Sequence, residues 1–211
     1  NTDWQPIITG IEQSKPAFGR GELIQAGDRT IRLLLAKNPT GFNEVLRTVF
    51  SEGIARHVLF ILNDNIADGQ DVSWIWDVDF ERAVGHTQSL VISGTRALDL
   101  ALRLKYAGIP QKEMTIIPYM LLKGERGMHQ TRQQRGANKK QKERQTLADP
   151  EQLTSQIANS YGLKSALDTA LQQTPIGETL FIVPTYTGLL TVHRELEQRG
   201  LTPHFWEGKE V

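Results

Sequence analysis

The strongest constraint on the fold is a strand, turn, helix, strand pattern early in the chain. Residues 30–36 form an apolar run of strand length, and residues 37–41 have the composition of a turn. In residues 42–50 the apolar side chains recur at i, i+3, i+4, i+7 and i+8, which predicts an amphipathic helix. A second apolar run, residues 57–62, follows. This order predicts a βαβ unit with parallel strands and a right-handed crossover.

The remaining sequence repeats the alternation. A short helix is predicted at residues 75–84. Further strands are predicted at residues 89–93, 114–118 and 179–183, and further helices after residue 95, at residues 163–171 and at residues 184–199. In the helix after residue 95, Leu98, Ala101 and Leu102 are predicted to face inward. Alternating strands and helices predict a Rossmann-like α/β domain, with a mostly parallel sheet flanked by helices.

The domain boundaries are predicted from breaks in this pattern. Proline and glycines at residues 16–22 interrupt regular structure, so residues 1–29 are interpreted as the tail of a preceding domain and a linker. Residues 30–211 are predicted to form the α/β domain. Because the sequence begins with Asn1 rather than methionine, we expect it to be part of a longer polypeptide.

One segment of this domain, residues 124–149, has an unusual composition. It contains seven Lys or Arg, five Gln and hardly any large apolar residue, which predicts a flexible surface insertion. The alternative is a basic arm that meets an acidic partner or lipid head groups. The sequence does not decide between the two.

Composition excludes several classes of function. The chain has no cysteine, which rules out disulfides, thiolate metal sites and a cysteine nucleophile within it. The formal net charge is zero, so charge gives no argument for a nucleic-acid or membrane partner. No apolar run approaches the roughly 18 residues of a membrane span, and we expect a cytoplasmic protein. The histidines lack metal-ligand spacing, and neither Gly-x-x-x-x-Gly-Lys-Ser/Thr nor Gly-x-Gly-x-x-Gly is present.

The most distinctive stretch is residues 63–81, called the acidic segment below, which directly follows the strand predicted at residues 57–62. It contains two of the four tryptophans and six carboxylates, namely Asp64, Asp68, Asp71, Asp77, Asp79 and Glu81. A loop that follows a buried strand lies at the sheet edge where open α/β sheets bind ligands. Turn formation accounts for the residues from Asp64 to Gly69. It leaves open whether another carboxylate orients a histidine, binds magnesium or acts as a base.

Two other stretches occupy equivalent positions. Lys37 and Asn38 follow the first predicted strand, and either form a turn or touch a phosphate or a base. Residues 185–187 follow the last strand, where Thr187 either caps the helix or helps the free helix amides to hold a carboxylate. Both alternatives stay open at this level.

Several of these stretches together resemble the C-terminal domain of the MurT family, the Mur-ligase-like subunits of lipid II isoglutaminyl synthases. The resemblance covers residues 17–201, and the acidic segment is its most specific part. Residues 18–22 resemble the Gly-Arg-x-Glu with which Mur ligase C-terminal domains begin. The other matching stretches are residues 36–41, 93–96 and 184–187. The basic segment 124–149 is longer than the family pattern and indicates a divergent lineage.

The resemblance implies a reaction divided between two subunits. The MurT-like subunit uses ATP and Mg²⁺ to activate the α-carboxylate of D-glutamate in lipid II as an acyl phosphate. A GatD-like class I glutamine amidotransferase supplies the ammonia that converts it to D-isoglutamine. The resemblance implies no nucleic acid, and contact with a membrane only through the lipid-linked substrate. The family's P-loop domain and zinc-binding central domain are absent from this sequence, so we expect the fragment alone to be inactive and to bind ATP weakly.

The resemblance also implies roles for individual residues. Asp71 is the expected third member of a Cys-His-Asp triad whose cysteine and histidine belong to the partner. Trp74 and Trp76 are expected either to anchor the interface or to pack in the core. Nucleotide contacts are implied for Arg20, Lys37, Asn38 and Asp64, and substrate contacts for Thr185, Tyr186 and Thr187.

Two other functions remain open from the sequence. One is a non-catalytic Rossmann-like interaction domain whose acidic segment docks a partner. The other is a Mur-type ligase that joins an amino acid without using glutamine.

Overall fold

A computed structural model describes residues 4–5, 19–51, 53–118 and 161–202 of the chain. The described strands form one six-stranded sheet. They are β1 (Arg20–Ala26), β2 (Arg29–Leu34), β3 (Arg56–Ile61), β4 (Thr87–Gly94), β5 (Met114–Pro118) and β6 (Thr179–Pro184). Their order across the sheet is β1-β2-β6-β3-β4-β5. Only β1 runs antiparallel to its neighbour, and the other pairings are parallel.

Helices cover both faces of this sheet. The described α-helices are α1 (Pro39–Val49), α2 (Ala97–Ala107), α3 (Tyr161–Gln173) and α4 (Tyr186–Gln198), and the 3₁₀ helices are Ser73–Asp77, Phe80–Ala83 and Gln111–Glu113. On one face, α1, α2 and the first two 3₁₀ helices pack around Phe42, Phe60 and Phe80. On the other face, α3 and α4 share a core with the strands. The prediction of a Rossmann-like, mostly parallel sheet flanked by helices is confirmed.

The topology brings the ends of five strands to one edge. Strands β2 to β6 are parallel, so all of them end at the same side of the sheet, called the carboxyl edge below. Strand β1 begins at this edge, because Arg20 is in register with Leu34 at the end of β2. The last of the described strands, β6, lies between β2 and β3 in the middle of the sheet. Loops from distant parts of the sequence therefore converge at the carboxyl edge.

The interpretation of residues 1–29 as a tail and linker is wrong for residues 20–29. Residues 20–26 form strand β1, and the domain includes them. The glycines do not end regular structure here; Gly21 has φ +84° at a register shift between Arg20 and Glu22, a conformation that favours glycine. Residues 6–18 and the basic segment 124–149 lie outside the described residues.

Two helix predictions also need correction. Leu98 and Leu102 were predicted to face inward, but their side chains are 66% and 48% exposed, whereas Ala101 is buried as expected. The buried stripe of α2 is Ala97, Leu100, Ala101 and Leu104, which keeps the spacing i, i+3, i+4, i+7 in a different phase. The short helix predicted at residues 75–84 is instead two 3₁₀ helices, Ser73–Asp77 and Phe80–Ala83.

Candidate functional site

The carboxyl edge collects most of the residues predicted to be functional. Lys37 and Asn38 follow β2, the acidic segment follows β3, and Thr185 follows β6. Arg20 stands at the start of β1 beside the end of β2. The structure thus brings the predicted residues to one side of the sheet, and their environments there differ sharply.

The centre of this edge is a buried network around the hydroxyl of Thr187, a fully buried residue in the first turn of α4. The side-chain amides of Asn63 and Asn65 each donate a hydrogen bond to Thr187 Oγ1 at 2.9 Å. The hydroxyl in turn donates to Asp68 Oδ2. A hydroxyl has one proton and two acceptor sites, so all of its hydrogen-bonding capacity is used by the protein.

Asp68 ties the acidic segment to α4. Its Oδ1 accepts the backbone N–H of Thr187 at 2.8 Å, so both carboxylate oxygens contact the same residue. Burial raises the pKa of Asp68, and the hydrogen bonds from Thr187, Thr185 and the backbone of Asn65 oppose that effect only in part. Asp68 therefore acts as a helix cap supplied from a distant part of the chain.

Asn63 joins three strand ends. Its backbone N–H donates to Thr185 Oγ1 at 3.1 Å, after β6. Its Oδ1 accepts the backbone N–H of Thr95 at 3.1 Å, after β4. The hydroxyl of Thr95 donates to Asp64 Oδ1 at 2.8 Å. The ends of β3, β4 and β6 are consequently held together by polar side chains rather than by further strand pairing.

A glycine makes this convergence possible. Gly94, the last residue of β4, has φ +110°, which is strained for any other residue. A Cβ atom at this position would lie 2.1 Å from the backbone oxygen of Leu62. The backbone of β4 therefore approaches the end of β3 closely enough for Thr95 to reach Asn63.

Asp71 differs from Asp64 and Asp68, the carboxylates of this network, because its side chain is exposed. The backbone N–H of Ser73 donates to Asp71 Oδ1 at 2.8 Å and lowers the pKa of this carboxyl. Within the described ranges, the hydrogen bonds of Asp71 go to Ser73. Next to it, Val72 is buried in the core. Asp71 is thus an ionised carboxylate presented to solvent from an anchored backbone.

The residues predicted to touch a nucleotide are found in three situations. Arg20 and Lys37 are exposed at the carboxyl edge. Asn38 accepts the backbone N–H of Gly41 at 2.8 Å through Oδ1, so it is the N-cap of α1. Asp64 is engaged by Thr95 and lies 3.5 Å from Arg96 Nε. Of these four residues, Arg20 and Lys37 are the two whose charged groups are exposed and take no part in the network around Thr187.

The residues predicted to touch the substrate are also divided. Thr185 and Thr187 are fully buried and hydrogen-bonded within the network, whereas Tyr186 between them is half-buried. The N-cap role considered for Thr187 is taken by other residues: Thr185 occupies the N-cap position of α4, and Asp68 binds the N–H of Thr187. Direct substrate contact by this turn stays a prediction.

The first residues of the domain are fixed by a further pair. Glu22 of β1 lies 2.8 Å from Nε2 of His193, a buried residue of α4. Burial would raise the pKa of Glu22, but the hydrogen bond and charge of His193, with the backbone N–H of Gly19, outweigh it and lower the pKa. This pair holds the start of β1, and hence Arg20, against α4.

The two tryptophans of the acidic segment have different environments. Trp74 is partly buried, with its ring 6.0 Å from that of Phe42 in the core. Trp76 is 49% exposed, and its ring meets Tyr106 edge-on at 5.6 Å. Core packing therefore describes Trp74, and Trp76 remains available at the surface.

A sequence profile described as "MurT ligase C-terminal" matches residues 35–146, which is more than half of the 211 residues. The chain belongs to the MurT ligase C-terminal family. The resemblance recognised in the sequence is thereby confirmed. In this MurT-type domain the matched range includes Lys37, Asn38, Asp64 and Asp71, and it ends before α3, β6 and α4.

Two curated relatives are named lipid II isoglutaminyl synthase (glutamine-hydrolyzing) subunit MurT. The Streptococcus pneumoniae protein is 35% identical over 114 residues, 54% of this MurT-type chain and 26% of the relative. The Staphylococcus aureus (strain COL) protein is 37% identical over 108 residues, 50% of the chain and 24% of the relative. The matched region thus spans about a quarter of each relative.

A solved structure of Mycobacterium tuberculosis folylpolyglutamate synthase complexed with ADP and AMPPCP aligns with a TM-score of 0.43 and 14% identity. The alignment covers 97% of this chain and 37% of that one.

Among the described residues of this MurT-type domain, no group of three or more His, Asp or Glu residues is placed to hold a metal ion. None of the described helices has the length and apolar character needed to cross a bilayer.

Sequence reasoning missed Asn63 and Thr95 as site residues. Their signals were their position just after predicted strands and their place in stretches that resemble the MurT family, but the partners that give them a role lie far away in the chain.

Proposed function

We propose that this domain serves in a two-subunit ligase that amidates the α-carboxylate of D-glutamate in lipid II, using ATP and glutamine. Family membership and the names of the curated relatives support this proposal. The observation that carries it is the environment of Asp71. An exposed, ionised carboxylate on an anchored loop suits a residue that acts on a partner rather than within its own chain.

The proposed role of Asp71 follows from what a Cys-His pair requires. A GatD-like class I glutaminase partner supplies the cysteine nucleophile and the histidine. A third, anionic group must accept the second ring N–H of that histidine, which fixes its tautomer and stabilises its charged form. Asp71 has the required charge, since an exposed aspartate is ionised at neutral pH and Ser73 lowers its pKa further, and it has the required access. The ammonia released by the partner then attacks the activated D-glutamyl carboxylate.

The ligase half of the reaction needs ATP, which supplies the phosphoryl group that activates the carboxylate. Arg20 and Lys37 suit contacts with nucleotide phosphates, since both are exposed cations at the carboxyl edge. Tyr186 is the candidate for substrate contact in the turn after β6, because the threonines on either side are buried. For Mg²⁺, the described residues offer no ready ligand set, and the role of Asp71 does not depend on the ion.

The decisive experiment uses the full-length subunit in complex with its glutaminase partner. Asp71→Asn is expected to abolish glutamine hydrolysis, because the amide carries no charge to stabilise the histidine. The subunits should still copurify, and free ammonium should still support amidation of lipid II. Asp77→Asn is the matched control, since Asp77 is an exposed carboxylate six positions away in the same segment.

The other outcomes separate the alternative functions. Normal glutamine hydrolysis by Asp71→Asn would eliminate the triad role. Loss of subunit association in that variant would favour an interaction domain whose acidic segment only docks the partner. Attachment of an amino acid to the substrate, with no amidation from glutamine or ammonium, would favour a Mur-type ligase.

A further inference from the structure

Asp68 and Asp71 belong to the same short stretch but have opposite environments. Asp68 is only 9% exposed, whereas Asp71 is exposed. Between them, Gly69 has φ +91° with no heavy atom within 4 Å of where its Cβ would stand, and Gln70 is exposed. The backbone that carries Asp71 is therefore held to the domain at two points, Asp68 on one side and the buried Val72 on the other.

The attachment at Asp68 is made mainly through Thr187, with a hydrogen bond from Thr185 and local turn bonds beside it. Both carboxylate oxygens accept hydrogen bonds from Thr187, one from the backbone N–H at 2.8 Å and one from the hydroxyl. The backbone N–H groups of Asp68 and Gly69 donate to Asn65 O at 2.8 and 3.1 Å, which forms the turn. Since Asp68 is buried and both oxygens are engaged, its carboxylate does not reach a partner or a substrate directly.

We infer that Asp68 is a positioning residue for glutamine hydrolysis, which fixes Asp71 relative to the first turn of α4 through the buried hydroxyl of Thr187. The inference rests on the proposed function, in which Asp71 serves the histidine of the partner. A triad carboxylate must be placed accurately, since a misplacement of about 1 Å can cost about a hundredfold in rate. Asp68 supplies that placement from inside the domain.

The network explains why this position needs a carboxylate rather than an amide. Asn63 is oriented by the backbone N–H of Thr95, so its amide nitrogen must face Thr187. Asn65 donates to the same oxygen, and the single hydroxyl proton then goes to Asp68. An asparagine at position 68 would direct a third N–H donor at a hydroxyl whose acceptor sites are already filled. Asp68→Asn therefore removes the hydrogen bond with the hydroxyl of Thr187 while it preserves side-chain size.

The test measures the whole two-subunit complex. Asp68→Asn is expected to lower kcat for glutamine hydrolysis at least about tenfold, with KM and subunit association little changed. The pH–rate profile of the remaining hydrolysis should shift from that of the unmodified complex, because the carboxylate of Asp71 no longer holds the partner's histidine in its charged form as effectively. A merely structural role would instead lower the amount of folded complex, with kcat per folded complex and the pH profile unchanged. That result would overturn the inference.

Thr187 provides a second pair of variants in case Asp68→Asn folds poorly. Thr187→Val removes the hydroxyl and should reproduce the loss of kcat, whereas Thr187→Ser keeps the hydroxyl and should retain activity. Full activity of Thr187→Val would contradict the inference.

The outcomes also separate this inference from the proposed function. An inactive Asp71→Asn beside a fully active Asp68→Asn removes the positioning role and leaves the triad role intact. An active Asp71→Asn removes both.

Discussion

Arg103 holds Glu81 through both carboxylate oxygens, each 3.0 Å from Nη2 of the buried guanidinium. The same nitrogen donates to the backbone oxygen of Val78 at 2.6 Å. The guanidinium also lies over the rings of Trp76 and Phe80, at 5.7 and 5.5 Å from their centroids. Arg103 of α2 thus fixes the second half of the acidic segment to the domain. Asp68 does the same for the first half through Thr187.

Arg103→Ala is expected to lower the free energy of unfolding by about 2–3 kcal/mol, because it leaves a backbone oxygen unpaired and removes packing from two rings. Chemical denaturation followed by tryptophan fluorescence measures this loss. Glu81→Gln is the control and should cost less than about 1 kcal/mol, since the carboxylate of Glu81 is half exposed. Equal losses in the two variants would show that the ion pair between Arg103 and Glu81 accounts for the lost stability. The contacts of Arg103 with the Val78 oxygen and the two rings would then contribute little.

Gly94→Ala should prevent the carboxyl edge from assembling. The new Cβ would clash with the backbone of Leu62, and the clash cannot be relieved by a side-chain rotation. The expected loss exceeds about 4 kcal/mol, which is severe for a single substitution. Gly85→Ala has a similar positive φ of +73° but open space around it, so it should cost only about 1–2 kcal/mol. The stability lost by each variant is measured by thermal unfolding. The Gly85 variant reports backbone strain alone, so the difference between the two losses reports the steric clash at Gly94.

Asn38→Ala should destabilise α1 by about 1 kcal/mol, because the N–H of Gly41 loses its acceptor. Asn38→Asp keeps the cap and should restore stability. In the full-length subunit, the two variants also separate capping from nucleotide contact. If Asn38 acts only as a cap, Asn38→Asp will have the ATP affinity of the unmodified subunit. A raised KM for ATP despite normal stability would show a direct contact.

Stability should depend on pH through Glu22. Its pKa is lower in the folded chain than the ordinary value of 4.5, so folding favours the ionised form. The stabilisation is therefore present above the ordinary value and is lost as the pH falls through the lower, folded-state pKa. Glu22→Gln should be less stable than the unmodified chain by about 1–2 kcal/mol near pH 6. Unfolding measured between pH 6 and pH 3 should show that difference shrinking below about pH 4.5; a constant difference would contradict the assignment.

Nucleotide binding by residues 1–211 alone is expected to be weak. The sequence has no Gly-x-x-x-x-Gly-Lys-Ser/Thr loop to cradle phosphates, and the cations Arg20 and Lys37 are exposed to solvent. Titration calorimetry with ATP should therefore give no saturable heat at concentrations that saturate the full-length subunit. Tight binding would place a complete nucleotide site within this chain.

The sequence predicted those parts of the fold that depend on local patterns. The βαβ unit was identified because buried strands and the face of α1 have characteristic spacings. Strand β1 was missed because its glycines look like breaks, although Gly21 sits at a bulge. Leu98 and Leu102 were misplaced because α2 has enough apolar residues for two faces, and only packing selects the one that meets the sheet.

The candidate site was predicted in position but not in detail. Strand order places the acidic segment at the carboxyl edge, as the pattern indicated. The contacts of Asp68 and Asn63 with Thr187 join residues 119 and 124 positions apart, and no local rule connects them. The sequence therefore identified carboxylates at the edge, whereas their division into a buried support and an exposed reactive group required the structure.

The central place of β6 has a consequence for how the domain is made. During synthesis β2 and β3 leave the ribosome long before β6, yet they lie on either side of it and do not pair with each other. Until β6 arrives, each has an unpaired edge of buried apolar residues, which favours aggregation. Thr185 and Thr187 follow directly on that strand, so Asp68 gains them as partners only after β6 has been made. The carboxylate at Asp71 therefore becomes fixed only once β6 lies between β2 and β3.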